Sequence, residues 1–113
     1  MIETRLGDFE EVVLLITGIL NNDAYALKIT EEFERQTGRQ VSIGAVHSTL
    51  DRLETKGFVK SELGESTAMR GGKRKRIFTI TALGKRVLKD SMDFRMSLWK
   101  QYPLLAGKLN FSY

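Results

Sequence analysis

A chain of 113 residues has room for one domain with a modest core, and the absence of cysteine excludes a disulfide framework, a thiolate zinc site and a cysteine nucleophile. The net charge of +4 is moderate, so its placement matters more than its size: acidic residues gather before Glu34 and basic ones after Arg70. No apolar run approaches the ~18 residues of a membrane span, and the opening stretch is polar and partly acidic, unlike a signal peptide, so the chain reads as soluble and cytoplasmic with no membrane partner.

The first predicted helix begins near Phe9, with Asp8 as its cap, and runs to about Leu20, burying Phe9, Val12, Val13, Ile16 and Leu20 along one face. Asn21, Asn22 and Asp23 interrupt it, and Asp23 is placed to start a second helix that ends at Thr37 and Gly38. In that second helix Ala26, Ile29 and Phe33 make the inward stripe, while Lys28, Glu31, Glu32 and Arg35 face water. Tyr25 stands in its first turn, where two readings are open: a hydroxyl that reaches a phosphate, or a half-buried packing ring.

A short extended piece at Gln40 and Val41 leads to Ser42, the N-cap of a third helix in which Val46, Leu50 and Leu53 recur at the spacing of one buried face. Its other face carries Gly44, Ser48, Asp51, Arg52 and Thr55, with Ala45 and His47 beside the first turn. Small residues there let a helix approach a surface closely, and Ser48 and Arg52 can hydrogen-bond phosphates or base edges. An ordinary amphipathic surface helix would also explain the stripe, though not the small residues opposite it.

Gly57 stops the third helix, and Phe58 to Leu63 alternates as a half-buried strand. The returning strand is Ile77 to Thr81, with Phe78 and Ile80 inward. Between them, Arg70 to Arg76 places five cations in seven residues, with two glycines and no acid. Such a loop suits a polyanion, although a charge run alone is also compatible with a solvated turn. Helix, turn, helix, then a hairpin make a winged helix with residues 65–75 as the wing.

Thr81 is the natural cap of a last helix from Ala82 to about Gln101, stopped by Pro103. It carries two apolar stripes: Leu83, Val87, Phe94 and Leu98 in one, and Leu88, Met92, Met96 and Trp99 in the other. One small core covers only one of them, so the other is expected to form a homodimer interface, unless residues 104–113 fold back over it. The fold class is therefore mostly α with a small β-hairpin: a winged helix-turn-helix domain over residues 1–81, then a dimerisation helix and tail over 82–113.

Several motifs together resemble the PadR family of transcriptional regulators. Leu6-Gly7-Asp8-Phe9-Glu10-Glu11 is similar to that family's opening of the first helix, and Asp23-Ala24-Tyr25-Ala26-Leu27-Lys28-Ile29 to its second-helix motif, in which glycine often replaces Ala26. Ser42-Ile43-Gly44-Ala45-Val46, with Leu50, Leu53-Glu54 and Lys56-Gly57-Phe58-Val59, resembles its third-helix signature, except that His47 stands where tyrosine is usual. Arg70 to Phe78 and Thr81-Ala82-Leu83-Gly84 resemble its wing and exit. The resemblance covers residues 6 to 88 and implies a repressor that binds a palindromic operator as a homodimer, with one helix rather than several after the wing.

The double-stranded DNA contacts expected on these grounds are Tyr25, Ser42, Gly44, Ala45, His47, Ser48, Arg52, Arg70, Lys73, Arg74, Lys75 and Arg76. The last helix adds Leu88, Met92, Met96 and Trp99 as dimer interface or as a groove for a small apolar or aromatic effector, with plain packing as the simpler reading. No cofactor or metal is expected, since His47 has no second histidine or cysteine beside it. An enzyme is not expected either, because no paired carboxylates, phosphate-binding glycine loop or nucleophile with a histidine partner stands out. A winged helix that binds protein without DNA remains the alternative; it leaves the cationic loop without a purpose.

Overall fold

The computed structural model describes residues 6–64 and 74–103. Helix α1 spans Asp8–Leu20, α2 Ala26–Thr37 and α3 Ile43–Thr55, followed by strands β1 at Val59–Leu63 and β2 at Arg76–Ile80 and by helix α4 at Ala82–Gln101. The strands form an antiparallel hairpin in the register Val59↔Ile80 through Leu63↔Arg76. The order and type of these elements match the winged-helix expectation.

Two helix starts differ from the expected ones, each for a local reason. Gly7, not Asp8, caps α1, because the Glu10 carboxylate reaches back three residues to accept the Gly7 N–H at 2.8 Å. Asp8 instead joins Glu10 and Glu11 in the first turn, where negative charge suits the helix dipole. Likewise Tyr25, not Asp23, precedes α2, because Asn21–Asp23 forms a separate 3-10 turn entered through a positive φ of 54° at Asn21. Asp23 pairs with Lys28 at 3.7 Å.

The end of α3 follows the chemistry of its glycine. Gly57 takes φ +84°, its N–H donates to the Glu54 carbonyl, and the Phe58 N–H donates to the Leu53 carbonyl, both at 2.9 Å. This Schellman closure satisfies two orphan carbonyls and turns Phe58 directly into the core.

That core is built from Val13, Leu14, Ile29, Phe33, Val46, Leu50, Leu53, Phe58, Phe78 and Leu88, all buried. Phe9 closes its edge, stacking edge-on against Phe33 with centroids 5.3 Å apart. The hydroxyls of Thr17 and Thr30 lie inside as well; each donates 2.8 Å to the carbonyl four residues back, and among the described residues no buried side-chain polar atom is stranded. The Phe78 N–H donates to the Ala24 carbonyl at 2.8 Å, which fastens the hairpin to the turn between α1 and α2. Among the described residues no helix is long and apolar enough to cross a membrane.

Candidate nucleic-acid interface

Helix α3 buries Val46, Thr49, Leu50 and Leu53 and leaves the opposite side open. Ser42 caps it by accepting the Ala45 N–H at 3.0 Å. Gly44, His47, Ser48, Asp51, Arg52 and Thr55 are exposed, and Ala45 is half-buried. Among the described residues a Cβ added at Gly44 would meet only the Ser42 hydroxyl, at 4.0 Å, so none of them demands glycine there. Without a side chain at that position, the outward side of the first turn stays open.

Both flanks of this open face are tied down. On one flank Arg52 and Lys56 turn toward α1: Lys56 Nζ lies 3.0 and 3.1 Å from the two Glu10 oxygens, and Arg52 Nε is 3.4 Å from Glu10 while its guanidinium also donates to the Thr49 hydroxyl at 3.1 Å. Burial pushes the Glu10 carboxyl up, but the Gly7 N–H, the Lys56 ammonium and Arg52 outweigh it and hold it below the ordinary glutamate value. On the other flank the Ser61 hydroxyl donates to Glu54 at 2.8 Å and accepts from Arg76 at 3.0 Å. The hairpin is thereby joined to the last turn of α3.

The cations expected to face a polyanion therefore differ in what they do. Arg74 is exposed and makes no ion pair among the described residues. Lys75 is half-buried, with its Nζ 4.1 Å from the centre of the Tyr25 ring, so Tyr25 acts as a platform for the base of the wing. Arg76 is directed at Ser61. Arg70 and Lys73 lie outside the described residues. Glu10, Lys56, Glu54 and Ser61 escaped the sequence reading because their partners are distant in the chain or hidden in its register.

Residues 15–90 match the family described as the transcriptional regulator PadR-like family. The chain belongs to that family. No curated protein matches it in sequence. In solved structures, the PadR-like chain is similar to the complex structure of hsRosR-S1, with a TM-score of 0.73 and 23% identity over 93% of this chain and 86% of that one. It is similar to a PadR-like transcription factor from Bacteroides fragilis, with a TM-score of 0.66 and 23% identity over 80% of this chain and 82% of that one. A PadR-like transcriptional regulator from Bacillus cereus gives a TM-score of 0.67 and 20% identity over 88% and 93% of the two chains. At these identities the likeness is one of fold.

Helix α4 of this PadR-like chain touches its own domain along a narrow line. Gly84 and Leu88 are buried, Ser91 donates to Glu11, and Arg95 Nη2 lies 3.6 Å from the same carboxylate. Leu88 is thus part of its own chain's core rather than of an open groove. At about 100° per residue, Leu83, Phe94 and Leu98 fall on one side of that line and Met92, Met96 and Trp99 on the other, all of them exposed. A groove of about 590 Å³ lies on the first side, lined by Leu6, Leu83, Val87, Phe94 and Leu98 and rimmed by Arg86, Asp90 and Arg95. Met92, Met96 and Trp99 do not line it.

Proposed function

We propose that the chain is a non-enzymatic, sequence-specific DNA-binding regulator that represses transcription as a homodimer on a palindromic operator. Residues 1–81 read the duplex, and residues 82–113 join the two copies. The observation that carries the reading is the open face of α3, where Gly44, His47, Ser48, Asp51 and Thr55 are exposed while the residues on both flanks are engaged in holding the helix in place. In a major groove this face supplies close approach at Gly44 and Ala45, a hydroxyl at Ser48 that bonds base edges, and a carboxylate at Asp51 that accepts from a base amino group. His47 stands where the family usually has tyrosine and contacts the backbone beside it. Arg70, Lys73 and Arg74 supply attraction that is indifferent to sequence, Ser42 and Tyr25 line the approach, and Arg52, Lys75 and Arg76 act chiefly by orientation.

Dimerisation is supported by the outer half of α4, where Phe94 is 64% exposed and Met92, Met96, Leu98 and Trp99 are exposed as well. A small aromatic effector lodged against Trp99 would register in its fluorescence. The experiment that tests the whole reading is titration of the purified protein with duplex from upstream of its own gene at 50 and 200 mM salt, alongside a mass measurement in solution. A dimer that neutralises about 6 to 10 phosphates should lose roughly 10³ to 10⁵-fold in affinity across that range, with half-site centres about 34 Å apart or a multiple of it. Duplex binding that ignores salt, or no duplex binding at all, would overturn it in favour of a protein-binding winged helix.

A further inference from the structure

Two neighbouring carboxylates at the start of α1 serve two different helices. Glu10 and Glu11 are 7% and 8% exposed. Consecutive helical residues point about 100° apart, so one α1 turn addresses both sides of the domain. Glu10 faces Lys56 at 3.0 Å and Arg52 at 3.4 Å, both next to or within the last turns of α3. Glu11 accepts from Ser91 and lies 3.6 Å from Arg95, both on α4. A buried carboxylate is tolerated only with charge and hydrogen-bond partners around it, so each one draws its helix to a defined place on α1.

We infer that Glu10 and Glu11 are positioning residues that together set the angle between the reading helix and the assembly helix, and hence the half-site spacing a dimer accepts. This rests on the duplex-binding homodimer reading above. The lever arm makes the angle matter. A 13-residue α3 is about 20 Å long at ~1.5 Å per residue, so a tilt of ~10° displaces its far end by roughly 3.5 Å, about one base-pair step. Contacts within a half-site do not depend on that angle, whereas simultaneous contact with two half-sites does. The clamp therefore governs spacing rather than base preference.

The test uses full-length protein and an operator selected by the wild type from random duplex, rebuilt with the half-sites moved apart or together by one base pair. An isolated half-site serves as the reference, and thermal melting as a check on folding. The variants are Glu11→Gln and, approaching the same contact from α4 without touching α1, Ser91→Ala combined with Arg95→Gln. The expected result is half-site binding within about threefold of wild type, with discrimination between native and shifted spacing reduced at least about tenfold. Folded Ser91→Ala/Arg95→Gln protein that keeps full wild-type spacing discrimination would overturn the inference. So would a variant that loses half-site and full-operator binding equally, since that is the signature of general destabilisation. Wild type that binds no duplex would overturn the underlying reading and this inference with it, and so is distinguishable from the other failures.

Discussion

Gly84 lies so close to Phe58 that a Cβ built on it would sit 2.2 Å from the Phe58 carbonyl oxygen and 3.0 Å from Ile80 Cγ2. The same carbonyl accepts the Thr81 N–H at 3.0 Å, and the Gly84 N–H donates to the Thr81 hydroxyl at 3.0 Å, so the start of α4 is seated just past the end of α3 through backbone atoms that cannot rotate away. Gly84→Ala would gain up to ~1 kcal/mol in helix propensity, but the clash costs about 1–3 kcal/mol or more, and the clash wins. Thermal denaturation should show a melting temperature lower by several degrees; an unchanged or raised value would contradict the close seat of α4.

The relay from Glu54 through Ser61 to Arg76 predicts non-additivity. If Arg76 acts by orienting the hairpin, Arg76→Ala and Ser61→Ala should weaken duplex binding by similar amounts, and the double variant should be little worse than either alone. Arg74→Ala should combine additively with both and make the slope of log affinity against log salt shallower by about one. Additive losses from Arg76→Ala and Ser61→Ala, measured by titration at two salt concentrations, would place Arg76 directly on the phosphates.

Acid should loosen the seat of α3 on α1. The folded-state pKa of Glu10 is held below its ordinary value, because the Gly7 N–H, Lys56 and Arg52 outweigh its burial. On the acid side of about 4.3 the unfolded state therefore binds more protons than the folded one, and stability falls with pH. The contribution is fully present at neutral pH and disappears as the pH drops through the folded-state pKa. Urea unfolding between pH 7 and pH 3 should show wild type losing more stability than Glu10→Gln over that acid range; parallel curves would mean that Glu10 contributes nothing to the acid sensitivity.

Gly44 separates binding from folding. Its exposed position and the 4.0 Å clearance at its Cβ mean that Gly44→Leu should leave the melting temperature within a few degrees of wild type. The bulk would project from the open face of α3, so duplex affinity should fall at least about tenfold for all sequences. Ser48→Ala, in contrast, should change which base is preferred at one position, by about 1–3 kcal/mol. Gly44→Leu protein that binds duplex as wild type does would show that α3 does not enter a groove.

The exposed side of α4 is tested by Phe94→Glu. Phe94 makes up part of the groove wall and is mostly exposed in the single chain, so a charge there costs the isolated fold little but disfavours an apolar interface. Sedimentation should show a monomer with unchanged helix content and sharply reduced operator affinity. A dimer of wild-type strength would move the interface elsewhere.

Features governed by local chemistry were legible in the sequence. The stripe of Val46, Leu50 and Leu53, the caps at Ser42 and Thr81, and the stop at Gly57 each depend on residues within one or two turns, and each is found where its pattern places it. Where two nearby signals competed, the weaker-looking one prevailed: Gly7 with Glu10 over Asp8, and the 3-10 turn over Asp23. Tertiary relationships were not legible. Arg52 and Lys56 are 42 and 46 residues from Glu10, and composition alone treats Arg74, Lys75 and Arg76 as equivalent charges. Strand register and a nearby aromatic ring give them three different environments.

Because α3 is anchored along both edges, its outward positions carry almost no share of the work of holding the domain together. Gly44, Ser48, Asp51 and Thr55 form no side-chain hydrogen bond or ion pair among the described residues. Those four sites can be exchanged with little strain on the rest of the molecule, so the frame and the surface it displays are free to change independently.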